Sequence, residues 1–106
     1  MRVREVRDGD AEGLVELLGQ LGYPVTAEAL AARIARNDAP DYRAWVCVAD
    51  DGRPVGFAGG HVMRPWEQDA PVAQLMILVA DEAHRGRGVG SALVDAFEAW
   101  ARDVGA

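Results

Sequence analysis

The sequence contains no lysine; all eleven of its basic residues are arginines. A GC-rich coding sequence produces that bias without a functional cause. Cysteine is almost missing as well. Cys47 stands alone, and one cysteine closes no internal disulfide, which points to a cytoplasmic setting. It lies in an apolar run and reads as core packing, since a buried free cysteine behaves as a small hydrophobe. No apolar run approaches the roughly 18–20 residues that cross a bilayer, so no membrane partner is expected. The opening Met1-Arg2-Val3-Arg4-Glu5 alternates charge and builds no signal-peptide core. Positive charge is scarce: the net charge is −6 and the pI about 4.7. That argues against nucleic acid as the main partner, because phosphate backbones select basic surfaces. It mildly favours a cationic acceptor such as an amine, although simple solubility is the stronger account of it. Repeats, linkers and low-complexity tracts are all lacking. A length of 106 residues fits one modest domain, spanning 1–106.

What is present reads as alternating short elements. Val3 and Glu5-Val6 suit a short first strand. Asp8-Gly9-Asp10 is a turn, with Asp10 as the expected N-cap of a helix. Leu14, Leu17, Leu18 and Leu21 recur at i, i+3, i+4 and i+7, one helical face. Gly22 ends that helix and Pro24 prevents its return. Thr26 is the next expected N-cap, and Ala27, Leu30, Ala31 and Ile34 give a second, less apolar face, stopped at Asn37-Asp38-Ala39-Pro40. Ala44 to Ala49, with Trp45, Val46 and Val48, reads as a buried strand. Asp50-Asp51-Gly52 is a hairpin turn, and Val55 to Met63 is the return strand. Gly59-Gly60 in its middle signals a bulge or a close backbone approach. A polar loop from Arg64 to Pro71 follows. Val72 to Ala80 is nearly unbroken apolar sequence, as in a strand covered on both faces. The last helix places Val89, Leu93, Ala96, Phe97 and Trp100 on one side, and Gly105 closes it. The order is β-α-α-β-β-β-α.

The stretch richest in chemistry is Arg85-Gly86-Arg87-Gly88-Val89-Gly90-Ser91, between the apolar strand and the last helix. Glycines let a backbone approach a ligand with no Cβ in the way. The unpaired N–H groups of a helix's first turn attract an anion, and the helix dipole favours its charge. Arg85 and Arg87 add cationic donors, though Arg87 reads equally as a solvated surface residue. A nucleotide P-loop needs Gly-Lys-Ser/Thr, and lysine is absent. A dinucleotide fold needs G-x-G-x-x-G early in a βαβ unit; Gly86 and Gly88 fit its first two positions, but Ser91 takes the third.

Arg85-x-x-Gly88-x-Gly90, in that strand–turn–helix setting, resembles the acetyl-CoA signature of the GNAT superfamily of N-acetyltransferases. The element order along the whole chain is also similar to that family's. The resemblance implies an α/β (α+β) GNAT-like fold with a mixed, mostly antiparallel sheet flanked by helices. It implies acetyl-CoA as cosubstrate, no metal, and an acceptor that is a small-molecule amine or a peptide N-terminus. By the same resemblance, Arg87, Gly88, Val89, Gly90 and Ser91 hold the CoA pyrophosphate through backbone amides, with Arg85 and Gly86 completing the turn. Leu78, Val79 and Ala80 match the strand end that bulges and pairs with pantetheine, where an N–H polarises the thioester carbonyl.

Direct attack on the thioester needs a neutral amine, hence a base or a water chain. Some family members carry a glutamate early in the long strand; Gln74 lies near that position here, and an amide takes no proton. Glu67 and Asp69 in the preceding loop are the candidates in its place, and both also read as ordinary loop carboxylates. His61 is a third candidate catalytic group, with a structural or surface role as its alternative. Tyr23 matches the region that lines the family's acceptor site, and Trp66 is a second candidate there, with packing as its alternative.

The family usually continues beyond this helix with a further strand, helix and strand pair, and often with a tyrosine that protonates the leaving thiolate. The sequence to Ala106 carries no match to that part. The expectation is therefore an exposed apolar edge on the strand Val72–Ala80. A truncated chain, a homodimer covering the edge, or a degenerate protein that binds acyl-CoA without turnover would each account for it. Two functions stay open: amine acetylation and a non-catalytic acyl-CoA-binding or interaction module.

Overall fold

The computed structural model describes residues 1–106. Strand β1 (Arg2–Glu5) leads to helices α1 (Ala11–Gln20) and α2 (Ala27–Arg36). Strands β2 (Tyr42–Val48), β3 (Pro54–Met63) and β4 (Val72–Ala80) follow, and a single 3₁₀ turn at Glu82–His84 precedes α3 (Val89–Asp103). The four strands form one sheet in the order β1-β2-β3-β4, and every neighbouring pair is antiparallel. The fold is a mixed α/β fold of the GNAT type, in the order the sequence predicts. No helix is long and apolar enough to cross a membrane.

The period-two alternation of the strands divides the core into two layers. Val46 and Val48 of β2, Phe57 of β3 and Val79 of β4 meet Leu14, Leu17 and Leu18 of α1 and Leu30 of α2. Trp45 and Cys47 point the other way, where they pack with Val55, Val89, Leu93 and Trp100. Helices α1 and α2 therefore cover one face and α3 the other. Cys47 is fully buried, and its burial pushes the thiol pKa up, consistent with packing rather than reactivity.

Local signals mostly act as read. The Thr26 hydroxyl accepts the Ala29 N–H at 3.1 Å and starts α2. Gly22 (φ +94°) ends α1, and Gly52 (φ +86°) makes the β2–β3 hairpin. Asp10 is different. It precedes α1 but its carboxylate does not cap it. Both of its oxygens instead accept the Arg4 guanidinium at 2.9 Å, and one also accepts the Arg7 N–H. A bidentate charged partner is stronger than a cap bond and takes the carboxylate. On α2 only Leu30 is buried; Ala31, expected on the apolar face, is exposed.

Strand β4 also departs from expectation. It is an edge strand, paired only with β3, and only Val79 in it is buried. Gln74, Met76 and Leu78 are exposed. Its apolar composition is not matched by burial because β4 lies at the rim of the sheet, where the helices cover its two faces only in part.

Candidate active site

The turn between β4 and α3 is built to leave donors free. Gly86 (φ +81°) and Gly88 (φ +83°) both adopt the left-handed conformation, and a Cβ on either would meet nothing within 4 Å. Gly88 opens α3 with no side-chain cap. The first helical bond from this end is Ala92 N–H to Gly88 carbonyl, at 3.0 Å, so the N–H groups of Gly88, Val89, Gly90 and Ser91 have no backbone acceptor. Four successive donors at the positive end of a helix suit a phosphate. Arg85 and Arg87 flank them, exposed and in no ion pair. Nothing in this geometry conflicts with a CoA pyrophosphate, and the chemistry of the donor set fits one.

Two packing devices hold the turn in place. Gly56 of β3 lies against α3: a Cβ there would collide with Val89 and come within 2.9 Å of Leu93 and 3.3 Å of the Val79 carbonyl. Only glycine lets the start of α3 sit this close to the sheet. On the other side, Gln20 at the end of α1 grips the residues that leave β4. Its amide donates to Asp81 at 2.8 Å, and its carbonyl accepts the Glu82 N–H at 3.0 Å. His84 Nδ1 lies 2.9 Å from the other Asp81 oxygen. The Gln20 amide first, and His84 second, hold the Asp81 carboxyl below the usual carboxylate pKa.

Toward its middle, β4 is irregular. Gly59 pairs with Ile77 but Gly60 pairs with Leu75, which leaves Met76 as an extra residue on β4. The glycine pair thus marks both expected features. It faces a bulge, and at Gly60 the backbone comes so close to α3 that a Cβ would lie 2.8 Å from Phe97. The bulge lies inside the strand, before the Leu78–Ala80 end where the resemblance puts it. Beside it opens a cleft of about 1260 Å³ between α1, α2 and the sheet. Tyr23, Met76, Ile77 and Leu78 line this cleft, and Tyr23 is two-thirds exposed.

The structure therefore brings Tyr23 and Leu78 to one cleft, while Val79, Ala80 and the turn Arg85–Ser91 lie further along, outside its lining. The remaining candidates lie elsewhere. Glu67, Asp69 and the fully exposed Trp66 sit in the β3–β4 loop and do not line the cleft. The reason is the length of the hairpin: pairing runs on from Gly60–Leu75 to Met63–Val72, which carries the loop roughly 10 Å past the bulge. His61 stacks on the cleft-lining Tyr42 with centroids 4.5 Å apart, and its Nε2 lies 3.5 Å from Asp41. It stands behind the cleft wall, not in the lining. No group of three or more His, Cys, Asp or Glu side chains is arranged to hold a metal.

Sequence reasoning missed Gln20, Asp81, Met76 and the arginines of the cleft. Gln20 and Asp81 are 61 residues apart, and no local pattern relates them. Met76 had an indirect signal, since the glycine pair opposite it marked the irregular rung but not which strand held the extra residue.

Comparison with known proteins bears on the fold and the family. No curated protein sequence matches the chain at a significant level. Among solved structures, a GNAT family acetyltransferase of Staphylococcus aureus superposes with a TM-score of 0.87 at 22% identity, covering 99% of this chain and 82% of that one. An acetyltransferase of Trypanosoma brucei gives 0.83 at 26% identity, covering 98% and 76%. Glucosamine-6-phosphate N-acetyltransferase of Arabidopsis thaliana gives 0.86 at 20%, also covering 98% and 76%. The sequence model of the acetyltransferase (GNAT) family matches residues 11–106, from the first turn of α1 through the phosphate-type turn to the end of α3, and the chain belongs to that family.

Proposed function

We propose that the chain moves an acetyl group from acetyl-CoA to a primary amine. The observation that carries this reading is the row of unpaired N–H groups at Gly88–Ser91, at the end of an edge strand whose bulge opens onto a cleft. The free amides of Gly88 to Ser91, with the Arg85 and Arg87 guanidinium groups, bind the pyrophosphate; the Arg87 N–H, which the resemblance adds to that row, is instead donated to the His84 carbonyl at 3.3 Å. The free edge of β4 at Leu78–Ala80 pairs with the pantetheine amides, as an added strand would. That places the thioester toward the bulge at Met76, where backbone N–H groups polarise its carbonyl. The acceptor enters from the Tyr23 side of the cleft. Its nitrogen attacks the carbonyl carbon, the C–S bond breaks, and CoA leaves as thiolate. With Glu67 and Asp69 outside the cleft, the amine proton passes to water; the carboxylates that do line the cleft are Glu5, Asp8 and Asp38, of which Glu5 is paired with Arg43.

Thiol release from acetyl-CoA over a panel of amines tests the reading. A folded sample that releases none above background with any of them would overturn it. The placement of Glu67 and Asp69 favours one alternative, a module that binds acyl-CoA without turnover. Calorimetry separates the two: saturable CoA binding with no thiol release supports the module, and no CoA binding sinks both.

A further inference from the structure

The charges of the cleft run against those of the whole molecule. The chain carries a net charge of −6, yet four arginines line the cleft, Arg7, Arg33, Arg36 and Arg43, against three carboxylates, Glu5, Asp8 and Asp38. Arg43 and Glu5 neutralise each other at 3.0 Å, and the Arg43 guanidinium lies 5.9 Å from the Trp100 ring on the α3 side of the sheet. Both drop out of the cleft's free charge. Arg7, Arg33 and Arg36 remain against Asp8 and Asp38, an excess of one positive charge, and no ion pair engages any of the three guanidinium groups; the Asp10 carboxylate accepts only the Arg7 backbone N–H.

Their placement is specific. Leu30, Arg33, Ile34 and Asn37 are spaced i, i+3, i+4 and i+7 along α2, and all four line the cleft, so this helix presents one face to it. Arg33 and Arg36 belong to the last turn of α2, where the dipole favours cations. The dipole does not account for Arg7, which reaches the same cleft from the β1–α1 turn. A guanidinium fork binds the planar or tetrahedral face of an oxyanion with two parallel hydrogen bonds.

Resting on the acetyl-transfer reading, we infer that the acceptor is an amine that also carries an oxyanion, a carboxylate or a phosphate. Arg33, Arg36 and Arg7 hold the anion at the α2 side, and the amine points to the Met76–Leu78 side. The acidity of the whole chain acts on ligands at a distance, where salt screens it beyond about 8–10 Å. The cleft arginines act at contact and decide which amine stays.

The test uses matched pairs that differ only in the anion: ethanolamine against O-phosphoethanolamine, and propylamine against β-alanine, with spermidine as the polycation. Each amine is titrated calorimetrically into the 1–106 chain, and KM and kcat are read from thiol release at saturating acetyl-CoA. CoA itself is titrated separately. At least one anionic member should bind about tenfold tighter than its neutral partner, and which pair responds separates phosphate from carboxylate. The double variant Arg33→Gln/Arg36→Gln should abolish that preference through KM, leaving kcat and the CoA Kd within about twofold. Exposed helix positions tolerate Gln, and an unchanged circular dichroism melt confirms the fold. Spermidine or a neutral amine binding as well as the anionic ones overturns the inference. So does a preference that survives the double variant, or no binding of either anionic amine into the millimolar range. If CoA fails to bind, the acetyl-transfer reading falls, and the amine titrations still decide the anion question.

Discussion

Two glycines in this chain serve opposite purposes. Gly56 is required by space, because any Cβ there meets Val89 and Leu93. Gly56→Ala should cost about 1–3 kcal/mol by overpacking and lift the first turn of α3 from the sheet, measured as a lower midpoint in urea. Gly88 is required by backbone angle, since its surroundings are open. Gly88→Ala should cost only about 1–2 kcal/mol, the strain of a left-handed alanine. A Cβ at the turn would also stand where a pyrophosphate approaches, so CoA binding should weaken more than tenfold by calorimetry, beyond what the stability loss explains. The turn at Gly86–Gly90 was legible because its left-handed glycines are neighbours in sequence, directly before the apolar face of α3. The need for Gly56 was not legible, because the side chains that demand it come from a helix more than thirty positions later.

At the scale of elements, α1 and the β4–α3 turn are tied through Gln20, which uses both ends of its amide. Gln20→Ala should leave α1 intact and release the turn. Amide hydrogen exchange at Glu82, whose N–H donates to Gln20, should then speed up, and CoA affinity should fall about three- to tenfold from lost preorganisation. Exchange at Glu82 unchanged from wild type would refute the tie. The elements themselves were largely legible: 3.6-residue spacing gave three helices and apolar runs gave the strands. What the sequence could not convey was the place of β4 in the sheet. Its apolar run suits burial on both faces, and composition alone does not say whether a neighbour pairs with each edge. The position of the candidate carboxylates was not legible either. Glu67 and Asp69 are close to β4 in sequence, but the hairpin's length takes their loop past the bulge.

For the whole molecule, two features set its response to solution conditions. Asp10, partly buried, accepts Arg4, and that contact first of all lowers its carboxyl pKa. A carboxylate with a depressed folded pKa adds stability above its unfolded pKa of about 3.9, and that stability is lost as pH falls through the folded value. Asp10→Asn should therefore destabilise by about 2 kcal/mol at neutral pH, with the difference from wild type shrinking in urea melts run below pH 4. The second feature is the outer edge of β4, where Met76 and Leu78 are 57% and 37% exposed. Unpaired apolar edges recruit further strands. Sedimentation should show concentration-dependent association of the 1–106 chain, reduced by Leu78→Lys; equal association in the variant would mean this edge is not the contact.

The three tryptophans are divided unevenly between core and solvent. Trp45 and Trp100 pack edge to face in the layer under α3, with ring centroids 5.7 Å apart, while Trp66 is fully exposed. The layer beneath α1 and α2 has none. Intrinsic fluorescence thus sees only half of the folded interior: on denaturation its red shift comes from the α3 side, above a constant red background from Trp66. Far-ultraviolet dichroism sees all three helices. Superimposable curves from the two would mean that the layers melt as one cooperative unit. An earlier loss of dichroism would mean that α1 and α2 let go first, so the optical spectrum of the unlabelled protein already separates the α1–α2 layer from the α3 layer.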